Sequence, residues 1–266
     1  MTSEDGALRP TTDAASWNQG VRVGLIELST SVATTAEALQ TLPEGVHAVS
    51  TRIRLPGGEV SADALGAMVD SDRLEQATCE LADADVGVVA FACTTGSLIR
   101  GPGFDRELIA RMEAAAPVRA TTTATALLAA LEALEVTRVA VATPYVDDLN
   151  QREVVFLEAQ GFKVVRLEGL GIDNDPEINR VPYSRTRELA RGVDDPSAEA
   201  IFISCTGLPT IALLDELERD LGKPVISSNA VTLWHTLTLA GVAPSGDGWG
   251  SLLSGRLTTR HPEGIR

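Results

Sequence analysis

Short apolar runs alternate along the chain with segments whose apolar positions recur at helical spacing. VRVGLIEL (21–28) and VGVVAFA (86–92) are near-continuous apolar runs bounded by polar residues, the pattern of strands buried in a parallel sheet. VHAVSTRI (46–53) reads as a strand between them, and the run at 86–92 leads straight into Cys93. Helices are predicted around 34–41 and over 71–84, 104–115 and 124–134, with PVRATT as a short strand before the last of these. Residues 1–20 carry no such pattern and read as a disordered tail, and 251–266 as a C-terminal tail.

The same order of elements then begins again. TRVAVATP (137–144) resembles the opening strand, with Arg138-Val139 standing 116 residues after Arg22-Val23, and FKVVRLEG (162–169) follows VHAVSTRI at the same offset. EAIFISCT (199–206) matches VGVVAFACT at an offset of 112, and PVISSNAVTLWHTLTLAGV matches PVRATTTATALLAALEALEV at an offset of 107. Four matches in one order predict an internal duplication. Alternating strands and helices predict an α/β fold of two pseudo-symmetric halves, each a parallel sheet flanked by helices. Ligands of such sheets bind beyond the carboxyl ends of the strands. Cys93 and Cys205 both stand there, so the active site is expected between the halves.

Composition narrows the function. The 266 residues suffice for one large domain or two small ones. With 4% aromatic residues a base-stacking surface is not expected, and a net charge of −15 repels phosphate backbones and anionic membranes. Neither nucleic acid nor membrane is therefore an expected partner, and an anionic substrate needs local donors, such as the N–H groups of a helix N-terminus. The polar N-terminal stretch gives no signal peptide, and no 18-residue apolar run is present. Three widely spaced cysteines predict a reduced, cytoplasmic protein. The scattered histidines lack metal-ligand spacing and no nucleotide-binding glycine motif occurs, so no cofactor is expected. Homo-oligomerisation is left open.

FACTTGS (91–97) and ISCTGLP (203–209) each place Cys-Thr in a turn after an apolar strand. Pro209 suits the first position of a helix running to Gly222. A helix N-terminus lowers a neighbouring thiol pKa and so makes it a nucleophile or base. Thr94, Thr95, Thr206 and Gly207 offer N–H and O–H donors to a carboxylate or enolate. Cys79, in the middle of the 71–84 helix, reads as a buried structural residue. Two thiols across a small site can exchange protons on opposite faces of a carbon acid. Alternatively, one can add to an activated C=C bond and allow rotation.

The two cysteine turns, TPY at 143–145 and GLGIDNDPEINRVP resemble the Asp/Glu/hydantoin racemase superfamily over about residues 20–250, most closely its maleate cis-trans isomerase group, which is related to arylmalonate decarboxylases. The resemblance implies an isomerase without cofactor, acting on a small carboxylate or dicarboxylate by maleate-type isomerisation. It implies Cys93 as nucleophile or base, Cys205 as the complementary acid/base, Tyr145 as a substrate contact, and Asn174 as a carboxylate-binding asparagine with Asn179 as runner-up. Where the maleate isomerases carry an asparagine after the first strand, this chain reads ELSTSVATT, with Glu27, Ser29 and Thr30. Amino-acid or hydantoin racemisation, arylmalonate-type decarboxylation and plain ligand binding are the alternatives. The decarboxylase branch resembles a one-cysteine design, against which Cys93 counts. Closing helices exchanged between halves would give a first domain of 20–124 plus 231–250 and a second of 125–230. Arg100, Arg180 and Arg185 are further candidates for holding a carboxylate, and Ser228 and Asn229 for capping the last long helix.

Overall fold

The computed structural model describes residues 19–255; the expected tails over 1–18 and 256–266 lie outside them. The first half runs β1 (Val21–Leu28), α1 (Ala33–Thr41), β2 (Val46–Ile53), a 3-10 turn at Pro56–Gly58, α2 (Ala62–Asp70), α3 (Arg73–Asp83), β3 (Val88–Ala92), α4 (Thr94–Leu98), α5 (Phe104–Ala115), β4 (Arg119–Thr122) and α6 (Thr123–Ala133). The second runs β5 (Arg138–Thr143), α7 (Asp147–Ala159), β6 (Lys163–Gly169), α8 (Asp175–Ile178), α9 (Tyr183–Gly192), β7 (Ala200–Ile203), α10 (Ile211–Leu221), β8 (Val225–Ser227), α11 (Ser228–Leu239) and α12 (Gly250–Leu253).

The strands form two four-stranded parallel sheets of the same topology, β2-β1-β3-β4 and β6-β5-β7-β8. The duplicated pattern is thus a duplicated sheet. Burial follows position: the central β3 (VVAFA) and β7 (AIFI) are wholly buried, whereas the outer β2 and β6 are mostly half-exposed. In both sheets the chain order reverses direction between the first and third strands of the half, the switch point where open α/β sheets bind ligands. Cys93 and Cys205 follow those third strands.

The helix α11 leaves β8 and lies against β3, β4 and α6, while α6 itself packs on α4, α5, β3 and β4. The helix α11 also touches β8, so it alone of the two contacts strands of both sheets among the element contacts of the described residues. We propose that the units are 20–124 with 231–250, and 125–230. Residues 251–253, expected in a C-terminal tail, instead belong to α12, which packs on α10, α11 and β8 because Leu252 and Leu253 bury their side chains there. Cys79 also departs from expectation. The inward face of α3 is Leu74, Ala77, Thr78 and Leu81, which turns Cys79 outward, where it is exposed.

Candidate active site

Each cysteine ends a buried strand and opens a tight turn. Cys93 is the N-cap of α4 and is buried. The Gly96 N–H and the Thr95 hydroxyl hydrogen-bond its sulfur. Gly96 is needed for closeness: a Cβ there would stand 2.8 Å from Cys93 Sγ. Cys205 is also buried and has φ 95°, in the left-handed region. A non-glycine residue there stores roughly 1–3 kcal/mol of strain that its surroundings must hold. Three bonds do so: the Cys205 N–H donates to Ser228 Oγ at 2.9 Å, the Gly207 N–H to Cys205 Sγ at 3.3 Å, and the Tyr145 hydroxyl bonds the same sulfur.

The two turns are tied together. Thr94 Oγ1 donates to Ser228 Oγ at 2.8 Å, so one serine hydroxyl bridges the residue after Cys93 and the backbone of Cys205. In return, Thr206 Oγ1 donates to the carbonyl of Ala92, at the end of β3. The thiols are close enough for the charge of Cys93 to act on Cys205.

Asp175 completes the site. Its carboxyl is buried and acts electrostatically on both thiols. Oδ2 accepts from Thr30 Oγ1 and, at 3.0 Å, from Asn179 Nδ2. Burial raises its pKa against those two bonds.

Burial also dominates the thiols, pushing each up to about 12. The lowering expected from a helix N-terminus is outweighed, because desolvation disfavours the thiolate more than the local N–H groups favour it. Pro209 also falls outside the helix predicted to start there; α10 begins at Ile211 after Thr210, and ends at Gly222 as expected.

The expected substrate contacts divide. Tyr145 is beside Cys205 and is held protonated, its pKa raised chiefly by burial. The hydroxyls of Thr94, Thr95 and Thr206 are engaged with Ser228, Cys93 and Ala92, so these residues shape the turns through their side chains. The amides of Thr94 and Thr95 open α4, where a helix leaves its N–H groups without intrahelical acceptors. Asn174 caps α8, accepting the Glu177 N–H at 3.3 Å. Asn179, one helical turn on, is the asparagine beside the site: its Nδ2 lies 3.4 Å from where a Gly207 Cβ would stand, next to Cys205 Sγ. Arg100 and Arg185 pair with Asp70 and Glu188 at the surface, and Arg180 is exposed. The N-cap of α11 is Ser227, accepting from the Ala230 N–H, so Ser228 and Asn229 are free for other work. Among the described residues, no group of three His, Cys, Asp or Glu side chains is arranged to hold a metal ion, and no helix is long and apolar enough to cross a membrane.

Glu37 and Glu153, which the sequence did not single out, support the site together with Glu27. Glu37 of α1 reaches the second half, accepting the N–H groups of Thr210 and Ile211 at 2.5 and 2.7 Å and Asn229 Nδ2 at 2.7 Å. Its carboxylate therefore stands at the N-terminus of α10, where the helix dipole favours it. Glu27, fully buried, accepts from Thr35 at the start of α1. Glu153 is fully buried behind Ser204, whose hydroxyl donates to Oε2 at 3.0 Å, and its charge is felt by Tyr145.

Residues 23–253 match the sequence model of the arylmalonate decarboxylase family. The chain belongs to that family. It is an enzyme of the group that holds both maleate isomerases and arylmalonate decarboxylases. It is 31% identical over 244 residues to the maleate isomerase of Nocardia farcinica, spanning 87% of this chain and 95% of that one. The arylmalonate decarboxylase of Bordetella bronchiseptica is 36% identical over 156 residues, 58% of this chain and 65% of its own. In structure it superposes on a Cys-to-Ser variant of the Nocardia farcinica maleate cis-trans isomerase carrying a covalently bound succinylcysteine intermediate, with a TM-score of 0.83 at 28% identity, covering 88% of this chain and 98% of that one. A variant of arylmalonate decarboxylase with a glycine replaced by cysteine and a cysteine by serine superposes with a TM-score of 0.80 at 30% identity, covering 87% and 98%. The expected family and two-sheet α/β fold are both borne out.

Proposed function

We propose that the protein is an isomerase that converts a small cis-unsaturated carboxylate of the maleate type into its trans isomer, using Cys93 and Cys205 and no cofactor. The observation that carries this reading is the pairing of two buried thiols, tied through one serine hydroxyl at the switch points of twin sheets. The covalent succinylcysteine in the Nocardia farcinica relative supports addition of a thiol to the double bond.

In this reading Cys93 sulfur bonds to one alkene carbon as its S–H bond breaks. The second alkene carbon takes the proton of Cys205, and the proton lost by Cys93 restores the Cys205 thiol. The adduct has a C–C single bond and rotates. Reversal of the same transfers breaks the C–S bond, re-forms both thiols and leaves the trans alkene. No free thiolate need accumulate, which suits two thiols whose ionisation is opposed by burial. Tyr145 positions Cys205, and the amides of Thr94 and Thr95 are donors for the developing enolate. Asn179 positions Asp175, donating from Nδ2 to the Asp175 carbonyl and Oδ2 while Asn179 Oδ1 accepts the Val32 N–H, and Asn174 caps the same helix.

The test is ¹H NMR of the enzyme with maleate, methylmaleate, aspartate, glutamate, hydantoins and malonates in D₂O. Appearance of trans-alkene signals supports isomerisation. Deuterium at an α-carbon of an amino acid or hydantoin, without alkene conversion, would replace this reading with racemisation. Decarboxylation is the second reading, favoured by the 36% identity to the Bordetella bronchiseptica enzyme; carbon dioxide release from arylmalonates with no alkene conversion would establish it.

A further inference from the structure

Asp175 is an unusual group to find beside two thiols in a site for carboxylates. It does not cap α8, since Asn174 does that. Both of its bonds, from Thr30 and Asn179, go to Oδ2, which leaves Oδ1 without a hydrogen bond from the described residues. The residue is buried, yet Oδ1 is not among the side-chain atoms sealed from solvent, so a ligand can reach this oxygen and its charge. Cations do not offset it here. Arg100 and Arg185 are paired at the surface, Arg180 is exposed, and Arg52 donates to the carbonyls of Leu28, Ser29 and Ser31. Among the described residues no arginine or lysine figures in the charges acting on either thiol.

A second substrate carboxylate beside Asp175 would put two like charges in one buried site, where one must take up a proton. An N–H group in the same place would instead give Oδ1 the donor it lacks. We propose that Asp175 is a specificity residue that selects a substrate carrying one carboxylate and, at its other end, an N–H donor such as an amide or ammonium group. This inference deepens the isomerase reading by naming its substrate class. Its geometry also holds if the chemistry is different, because it concerns binding.

The test separates the two. Saturated analogues cannot be isomerised, so succinamate and succinate are titrated calorimetrically into the wild-type protein and Asp175→Asn. Succinamate is expected to bind the wild type at least tenfold more tightly than succinate, and the near-isosteric Asn variant to bring the two within about threefold by admitting succinate. Succinate binding the wild type as tightly as succinamate, or succinamate not binding at all, overturns the proposal without reference to turnover. Turnover of maleamate and maleate then reports on the isomerase reading. Succinamate selectivity with neither alkene converted would sink that reading alone.

Discussion

The Thr94 hydroxyl donates to Ser228 Oγ at 2.8 Å, and the Cys205 N–H meets the same oxygen at 2.9 Å. One side chain from α11 thereby sets the distance between the two cysteine turns and holds Cys205 at its positive φ. Ser228→Ala leaves a buried hydroxyl and a buried N–H without partners, a loss of about 1–3 kcal/mol. Urea unfolding should register that loss, and turnover should fall more than binding of a saturated analogue. Unchanged stability and turnover would mean the bridge has no such role.

Gly96 lets the first thiol approach its own turn. An alanine Cβ there would stand 2.8 Å from Cys93 Sγ and 3.2 Å from Met68 Cε and Phe91 Cζ. Gly96→Ala is expected to displace the sulfur and lower turnover on the order of 10²-fold, with about 1–3 kcal/mol of overpacking cost. Steady-state kinetics and thermal unfolding measure the two effects separately.

Glu153 links stability to pH. Burial lifts its pKa from 4.5 to about 7, against the Ser204 bond. The folded state therefore holds a proton that the unfolded chain releases. The stabilisation is fully present below pH 4.5 and is lost as pH rises to about 7, a change of about 3 kcal/mol at most. Glu153→Gln should flatten the pH–stability curve over that window. An equally steep fall in the variant would assign the dependence to other groups.

The three thiols should differ in reactivity. Cys79 is exposed, whereas Cys93 and Cys205 are buried with pKa values near 12. Iodoacetamide near neutral pH is expected to label Cys79 quickly and the other two slowly, as read by peptide mass spectrometry. Rapid labelling of Cys93 in the free protein would show a standing thiolate and change the proposed proton transfers.

The strands were legible because burial in a parallel sheet demands unbroken apolar runs, and VVAFA and AIFI are such runs. The cysteines were legible because a duplicated frame puts them at matching strand ends. Asn174 and Asn179 could not be separated, since which one faces the site depends on the phase of a single helical turn. Glu37, Glu153 and Asp175 lie in segments that look polar; their burial comes only from contacts made across the chain, as when Glu37 meets Thr210. Cys79 misled because the middle of a helix says nothing about its face until the inward stripe, Leu74 to Leu81, is fixed.

The pairing of the cysteines is tested most directly by turnover of Cys93→Ala and Cys205→Ala, followed by ¹H NMR on the substrate that the wild type converts, with circular dichroism to confirm folding. Each variant should lose turnover by roughly 10³-fold or more while remaining folded, because each removes one partner of a two-thiol transfer. A folded variant of either kind that keeps wild-type turnover would contradict the account.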